Sequence, residues 1–143
     1  MNRKTDSSPG MPIEPLGERP PHTTGWDDRR KAFQANDPIR AVIVAAPEKE
    51  AESLARTLLE ERLIACANLI KGVHSLYWWD GKIQSGAETI ILMKTPASKI
   101  NALMRRVRSL HSYSVPEFLA LPILESNPAY AEWVAKETGS QTK

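Results

Sequence analysis

Few side chains in this chain have the chemistry to hold a metal or attack a substrate. Cys66 is the single cysteine, and the histidines are His22, His74 and His111. A thiolate is a soft ligand that favours Cu(I) and similar ions, and an imidazole suits copper or zinc. Cys66 and His111 are therefore the candidate metal ligands. Each also has a plainer role. A lone cysteine between Ala65 and Ala67 makes a small buried filler, and a histidine ending a helix can complete the helix dipole as a cation. His74 reads as a sheet or surface residue, and His22 belongs to the N-terminal tail. The sequence has no Cys-X-X-Cys or His-X-X-X-His spacing, so one chain presents no recognised metal motif. A site must gather distant residues or use neighbouring subunits, and a weak, partly solvated one is expected. Cys66 and His111 would also make a nucleophile and base. No third orienting residue, oxyanion loop or Gly-rich phosphate cradle accompanies them. The chain is read as a non-enzyme.

Four more polar residues stand beside apolar runs: Glu88, Lys94, Tyr113 and Glu117. Buried charges are nearly always paired, so Lys94 and Glu117 suit an ion pair at a subunit boundary. Arg105, Arg106 and Arg108 read as a solvated helix face. A net charge of +2 argues against a dedicated nucleic-acid binder. No apolar run reaches the roughly 18 residues of a membrane span. The N-terminus lacks the apolar core of a secretory signal. It also balances acids against bases, unlike a transit peptide. With one cysteine and no intrachain disulfide, the expected compartment is the cytoplasm.

The elements that must position these groups occupy residues 39–143. Residues 1–38 hold six of the 11 prolines and few aliphatics, the composition of a disordered extension. Trp26 and Phe33 are its exceptions and suggest a short helix over 27–35. Residues 39–46 form an apolar run suited to a buried strand. A helical stripe follows over 48–63, with Pro47 as a first-turn proline. Residues 66–79 and 82–94 are two extended arms, the first bent at Gly72. Asp80-Gly81 joins them, a dipeptide that tolerates the positive φ of a tight hairpin turn. Thr95-Pro96 reads as the cap and first residue of a second helix. Residues 118–124 are a last strand, which Pro122 confines to an edge or bulge. Asn127-Pro128 caps a third helix, and Gly139 ends it. The first six elements make an α+β fold, the ferredoxin-like βαββαβ plait with both helices on one face, here with an extra C-terminal helix.

Trp78 and Trp79 are consecutive in a strand and must point to opposite faces. One is expected to reach the chain's own core, and the other needs cover from elsewhere. The sheet face opposite the helices is also apolar. Both features predict an oligomer with Trp78 and Trp79 at its interface.

Segments Glu61-Arg-Leu-Ile-Ala-Cys-Ala-Asn68, Ser75-Leu-Tyr-Trp-Trp-Asp-Gly-Lys82, Leu92-Met-Lys-Thr95 and Val115-Pro-Glu-Phe-Leu-Ala-Leu-Pro-Ile123 resemble the CutA divalent-cation tolerance family. Tyr130-X-X-Trp133 fits as well. The resemblance covers about residues 40–138. It implies a homotrimer like that of the PII signalling proteins, with copper or another divalent cation as ligand and no required cofactor. It also implies an intersubunit cleft holding Lys94, Tyr113, Glu117 and Glu88 near Cys66. The usual His-Pro-Tyr of the family is His111-Ser112-Tyr113 here, which removes the rigidity of proline. Three roles follow from the resemblance. One is copper binding in metal tolerance. Another is PII-like sensing of a small ligand, without nucleic acid or membrane. The third is a structural or anchoring trimer with incidental metal contacts.

Overall fold

A computed structural model describes residues 37–139 of the chain. The extension assigned to 1–38, with its helix over 27–35, lies outside the described residues apart from Asp37 and Pro38. These two are tied to the domain. Asp37 accepts hydrogen bonds from the Ser98 backbone N–H (2.8 Å) and hydroxyl (2.6 Å), and the Pro38 carbonyl accepts from the Ala97 N–H.

The elements are β1 (Ile39–Ala46), α1 (Glu48–Glu60), β2 (Cys66–Trp79), β3 (Lys82–Pro96), α2 (Ile100–Leu110), β4 (Leu119–Pro122) and α3 (Pro128–Glu137). One sheet runs in the order β2-β3-β1-β4, with every neighbouring pair antiparallel. This is the split β-α-β plait. Register fixes which residues share a face. Val42 opposes Met93 and Val44 opposes Ile91. These four side chains are fully buried against Leu54 and Leu58 of α1 and Leu103 and Val107 of α2. The residues between them, Ala41, Ile43 and Ala45 with Ile90, Leu92 and Lys94, alternate to the opposite face. There Ile70, Leu119 and Leu121 are exposed.

Local chemistry accounts for most boundaries. Asp80 (φ 52°) and Gly81 (φ 73°) both adopt the left-handed conformation that a two-residue hairpin turn requires. A bulge between Ile70 and Val73, with Gly72 at φ 71°, bends the arm of β2. Pro122 sits on β4, which among the described residues pairs only with β1 and so forms an edge. Asn127 caps α3 by accepting from the Ala129 N–H at 3.1 Å, and Pro128 opens the helix.

Two expectations are corrected. Thr95 is not a helix cap. It belongs with Pro96 to β3, its hydroxyl donates to the Leu63 carbonyl at 2.7 Å, and a 3-10 turn precedes α2. The hydroxyl finds an acceptor in the loop between α1 and β2 and has no need of an orphan helix amide. Neither tryptophan reaches the chain's own core: Trp78 is 72% exposed and Trp79 is 55% exposed. The hairpin carries both beyond the helix layer, so the alternation separates two open sides.

Candidate functional site

The chemistry-bearing residues gather at two ends of the open sheet face. At one end, Cys66, Lys94 and Ala41 form a row across β2, β3 and β1. Direct cross-strand neighbours share a face. The Lys94 ammonium donates to the Asn68 side-chain oxygen. The Cys66 sulfur is partly shielded and lies 3.4 Å from the Tyr130 hydroxyl of α3. Burial, and then the bond to Cys66, push the Tyr130 phenol well above its ordinary pKa.

At the other end, α2 stops at His111, whose N–H still bonds the Val107 carbonyl at 2.9 Å. The His111 side chain is fully buried. Its Nε2 lies 2.7 Å from the Ala45 carbonyl and its Nδ1 lies 3.0 Å from the Tyr113 N–H. A carbonyl only accepts and an amide only donates. Nε2 therefore carries the proton and Nδ1 is the acceptor. Both ring nitrogens are engaged, so His111 has no lone pair to offer a metal. It acts as a neutral strut between β1 and the loop after α2. The Glu50 carboxylate stands 3.7 Å from Nδ1, too far for a hydrogen bond. Glu50 instead accepts from the Ser112 hydroxyl (2.8 Å) and N–H (3.3 Å). Proline could not make either bond. Serine at this position thus replaces ring rigidity with a clamp onto the first turn of α1.

The strut and the clamp hold residues 113–117 as one wall of a cleft. The opposite wall is the hairpin arm, and Ile90 and Ala45 line its base. The cleft measures about 700 Å3 and is edged by Tyr77, Trp79, Glu88, Tyr113, Val115 and Glu117. The Tyr113 hydroxyl donates to a Glu88 oxygen at 3.1 Å, and its ring tilts against His111 at 4.7 Å between centroids. Desolvation and then the Glu88 charge push the Tyr113 phenol up to about 12.

Of the residues the sequence singled out, Tyr113, Glu88, Glu117 and Trp79 share this cleft. Lys94 does not. It stands four residues along β3 from Ile90, about 13 Å at the ordinary rise of a strand, beside Cys66. Cys66 on β2 and the His111 strut at Ala45 on β1 are separated by the same interval along the strands and by two strand spacings across them, about 16 Å in all. Among the described residues, no group of three or more His, Cys, Asp and Glu side chains is placed to hold a metal ion. The two proposed ligands therefore do not fit a shared site within one subunit. Trp78 lies on the other side of the ribbon, opposite Ile83. Tyr77 and Glu50 were not singled out, and Ser112 was read only as a loss of rigidity rather than as a partner for Glu50. The period-two alternation of Ser75, Tyr77 and Trp79 carried the signal for Tyr77. Nothing local marked Glu50, which lies far from Ser112 in sequence.

Residues 40–137 match the family model described as CutA1 divalent ion tolerance protein. The chain belongs to this CutA1 family. It is 44% identical over 103 residues to mouse Protein CutA, a match that spans 71% of this chain and 58% of the mouse protein. Rice Protein CutA 1, chloroplastic, is 40% identical over 111 residues, spanning 77% of this chain and 63% of the rice protein. This chain therefore covers less than two thirds of those CutA relatives. The Thermus thermophilus divalent-cation tolerance protein is 41% identical over 99 residues, 68% of this chain and 96% of that protein.

Solved CutA structures agree. The structure of the Thermus thermophilus protein superposes with a TM-score of 0.69 at 40% identity, covering 71% of this chain and 99% of that one. The structure described as PII-like protein CutA from Nostoc sp. PCC 7120 in apo form gives 0.67 at 36% identity, covering 69% and 96%. The CutA fold is thus a PII-like one. No helix among the described residues is long and apolar enough to cross a membrane.

Proposed function

We propose that the chain works as a cytoplasmic homotrimer that binds a small ligand in a cleft between subunits, and that it serves divalent-cation tolerance in this way. The observation that carries the reading is the uncovered apolar sheet face on which the cleft opens. Ile70, Leu119 and Leu121 are 50%, 51% and 40% exposed there. Each such half-covered side chain would gain about 1 kcal/mol on being covered completely. A second copy of the chain supplies cover of matching chemistry, and the cleft walls then meet a neighbouring subunit. The protein binds rather than catalyses, because the one thiol and its candidate base stand about 16 Å apart across the sheet. A lone cysteine suits a reducing compartment.

Copper binding is the second reading. One observation favours it: the Cys66 thiol is only partly buried and lies at the open face beside Asn68 and Lys94. His111 takes no part in it.

Native mass spectrometry of the full chain during a copper(II) titration tests both readings. A species of three chain masses is expected. Replacing Trp78 by Ala is expected to weaken it, since that ring is the most exposed tryptophan of the hairpin. A monomer at all concentrations would sink the trimer. One copper retained per chain, and lost in Cys66→Ser, would favour the copper reading. A trimer that retains none would leave the small-ligand reading alone.

A further inference from the structure

The His111 side chain is closed off from solvent within one chain, so its surroundings are complete without a neighbouring subunit. Both ring nitrogens are engaged by the chain itself. Nε2 donates to the Ala45 carbonyl and Nδ1 accepts from the Tyr113 N–H. This pair of bonds holds only for the neutral ring, because an imidazolium carries a hydrogen on both nitrogens. A proton added at Nδ1 would meet the Tyr113 N–H, donor against donor. An acceptor already stands nearby. Glu50 Oε1 is 3.7 Å from Nδ1, on a side chain only 23% exposed. That same oxygen is occupied by the Ser112 hydroxyl and N–H.

The groups that face the ring favour a positive charge on it. From α1 comes the Glu50 carboxylate. From the loop comes Tyr113, whose ring centroid is 4.7 Å away and whose phenol, pushed up to about 12, is neutral. From β3 comes Glu88, at the far end of that phenol. From β1 comes the uncharged Ala45 carbonyl. On α2 itself the base of the last turn is Arg108, which is exposed. His111 also closes the C-terminus of α2, where the helix dipole favours a cation. Burial alone opposes the charge.

We propose that His111, Glu50 and Ser112 form a proton-operated latch on the loop after α2. With the ring neutral, Glu50 holds Ser112 and Nδ1 holds Tyr113, so the loop is fastened to α1 and to the end of α2. When a proton from water binds Nδ1, the carboxylate turns from Ser112 to the imidazolium. The Tyr113 N–H loses its acceptor, and residues 112–117 are released at their first two fastenings. The latch belongs to a single subunit and stands whether or not the cleft takes a ligand.

Nitrogen-15 spectra of the ring and the amides of the full chain, recorded from pH 8 down to pH 5, test the latch across the range in which histidines change charge. The ring should be the Nε2–H tautomer at pH 8. On acidification the His111 ring and the Ser112 and Tyr113 amides should move together with one midpoint. Glu50→Gln removes the opposite charge and should lower that midpoint by about half a pH unit or more. Ser112→Ala frees the carboxylate for the imidazolium and should raise it. Ser112 is exposed, so this variant carries the test even where Glu50→Gln fails to fold. A ring that stays neutral to pH 5 would overturn the proposal. So would a ring that titrates while both amides stand still, or a midpoint that neither variant moves.

Discussion

The two faces of the sheet are built from the same strands and reach opposite states. On β1, Val42 and Val44 are fully buried beneath the two helices, whereas Ile43 between them is only partly covered. On β3, Ile91 and Met93 are sealed, but Ile90 and Leu92 are not. Composition does not separate the faces, since both are aliphatic. What separates them is the supply of cover. Among the described residues two helices cover one face, and α3 packs at the margin against Ile39 and Ala65. Apolar character alone therefore does not mark the core of this subunit. The helix face holds the fold together, and the other face is apolar yet open in the single chain.

The largest effect that tests this contrast is Leu58→Ala. Leu58 is fully buried in the main cluster, and its truncation should cost about 2–5 kcal/mol in denaturant unfolding. The matching change on the open face, Leu119→Ser, should leave the unfolding free energy of a dilute monomer within about 0.5 kcal/mol while lowering the mass of the assembly. Equal losses of stability in the two variants would erase the distinction.

The cleft end adds a titration. The folded state favours neutral Tyr113, whose pKa is raised to about 12 from about 10 in an unfolded chain. Its contribution is complete below pH about 10 and is lost as pH climbs through about 12. Thermal melts across that window should fall less steeply for Tyr113→Phe than for the parent. Identical slopes would mean that the phenol is ordinary.

The smallest effect is expected from Ser112→Pro. It removes two hydrogen bonds to Glu50. It also stiffens a loop whose preceding residue, His111, already has the extended backbone (φ −74°, ψ 140°) that a following proline requires. The two changes oppose each other, so the denaturant midpoint should move by no more than about 1 kcal/mol equivalent. A loss of several kcal/mol would make the Glu50 clamp essential to the cleft wall.

The fold was largely legible because its signals are local. Asp80-Gly81, Pro122 and Asn127-Pro128 each act through the geometry of their own backbone, and the structure uses all three as expected. Thr95-Pro96 misled because a cap rule and a strand competed for the same residues. The strand prevailed through the acceptor at Leu63. The site was less legible. Tyr113, Glu88 and Glu117 come together in the cleft, but the distance from Cys66 to His111 depends on strand register across β1, β2 and β3. No local pattern encodes that register. The roles of the His111 nitrogens depend on the Ala45 carbonyl, a partner 66 positions away in the chain.

The unequal margins of the sheet carry one more consequence. On one side β4 offers four residues and ends at Pro122, which has no N–H to give. On the other, β2 runs for 14 residues. A filament grown by adding sheet to sheet needs a receptive margin on both sides of every unit. Here one margin is short and ends in proline, which disfavours open-ended growth by sheet addition. The sheet that carries the long apolar ribbon is thus guarded at one margin by a proline that cannot donate to an added strand.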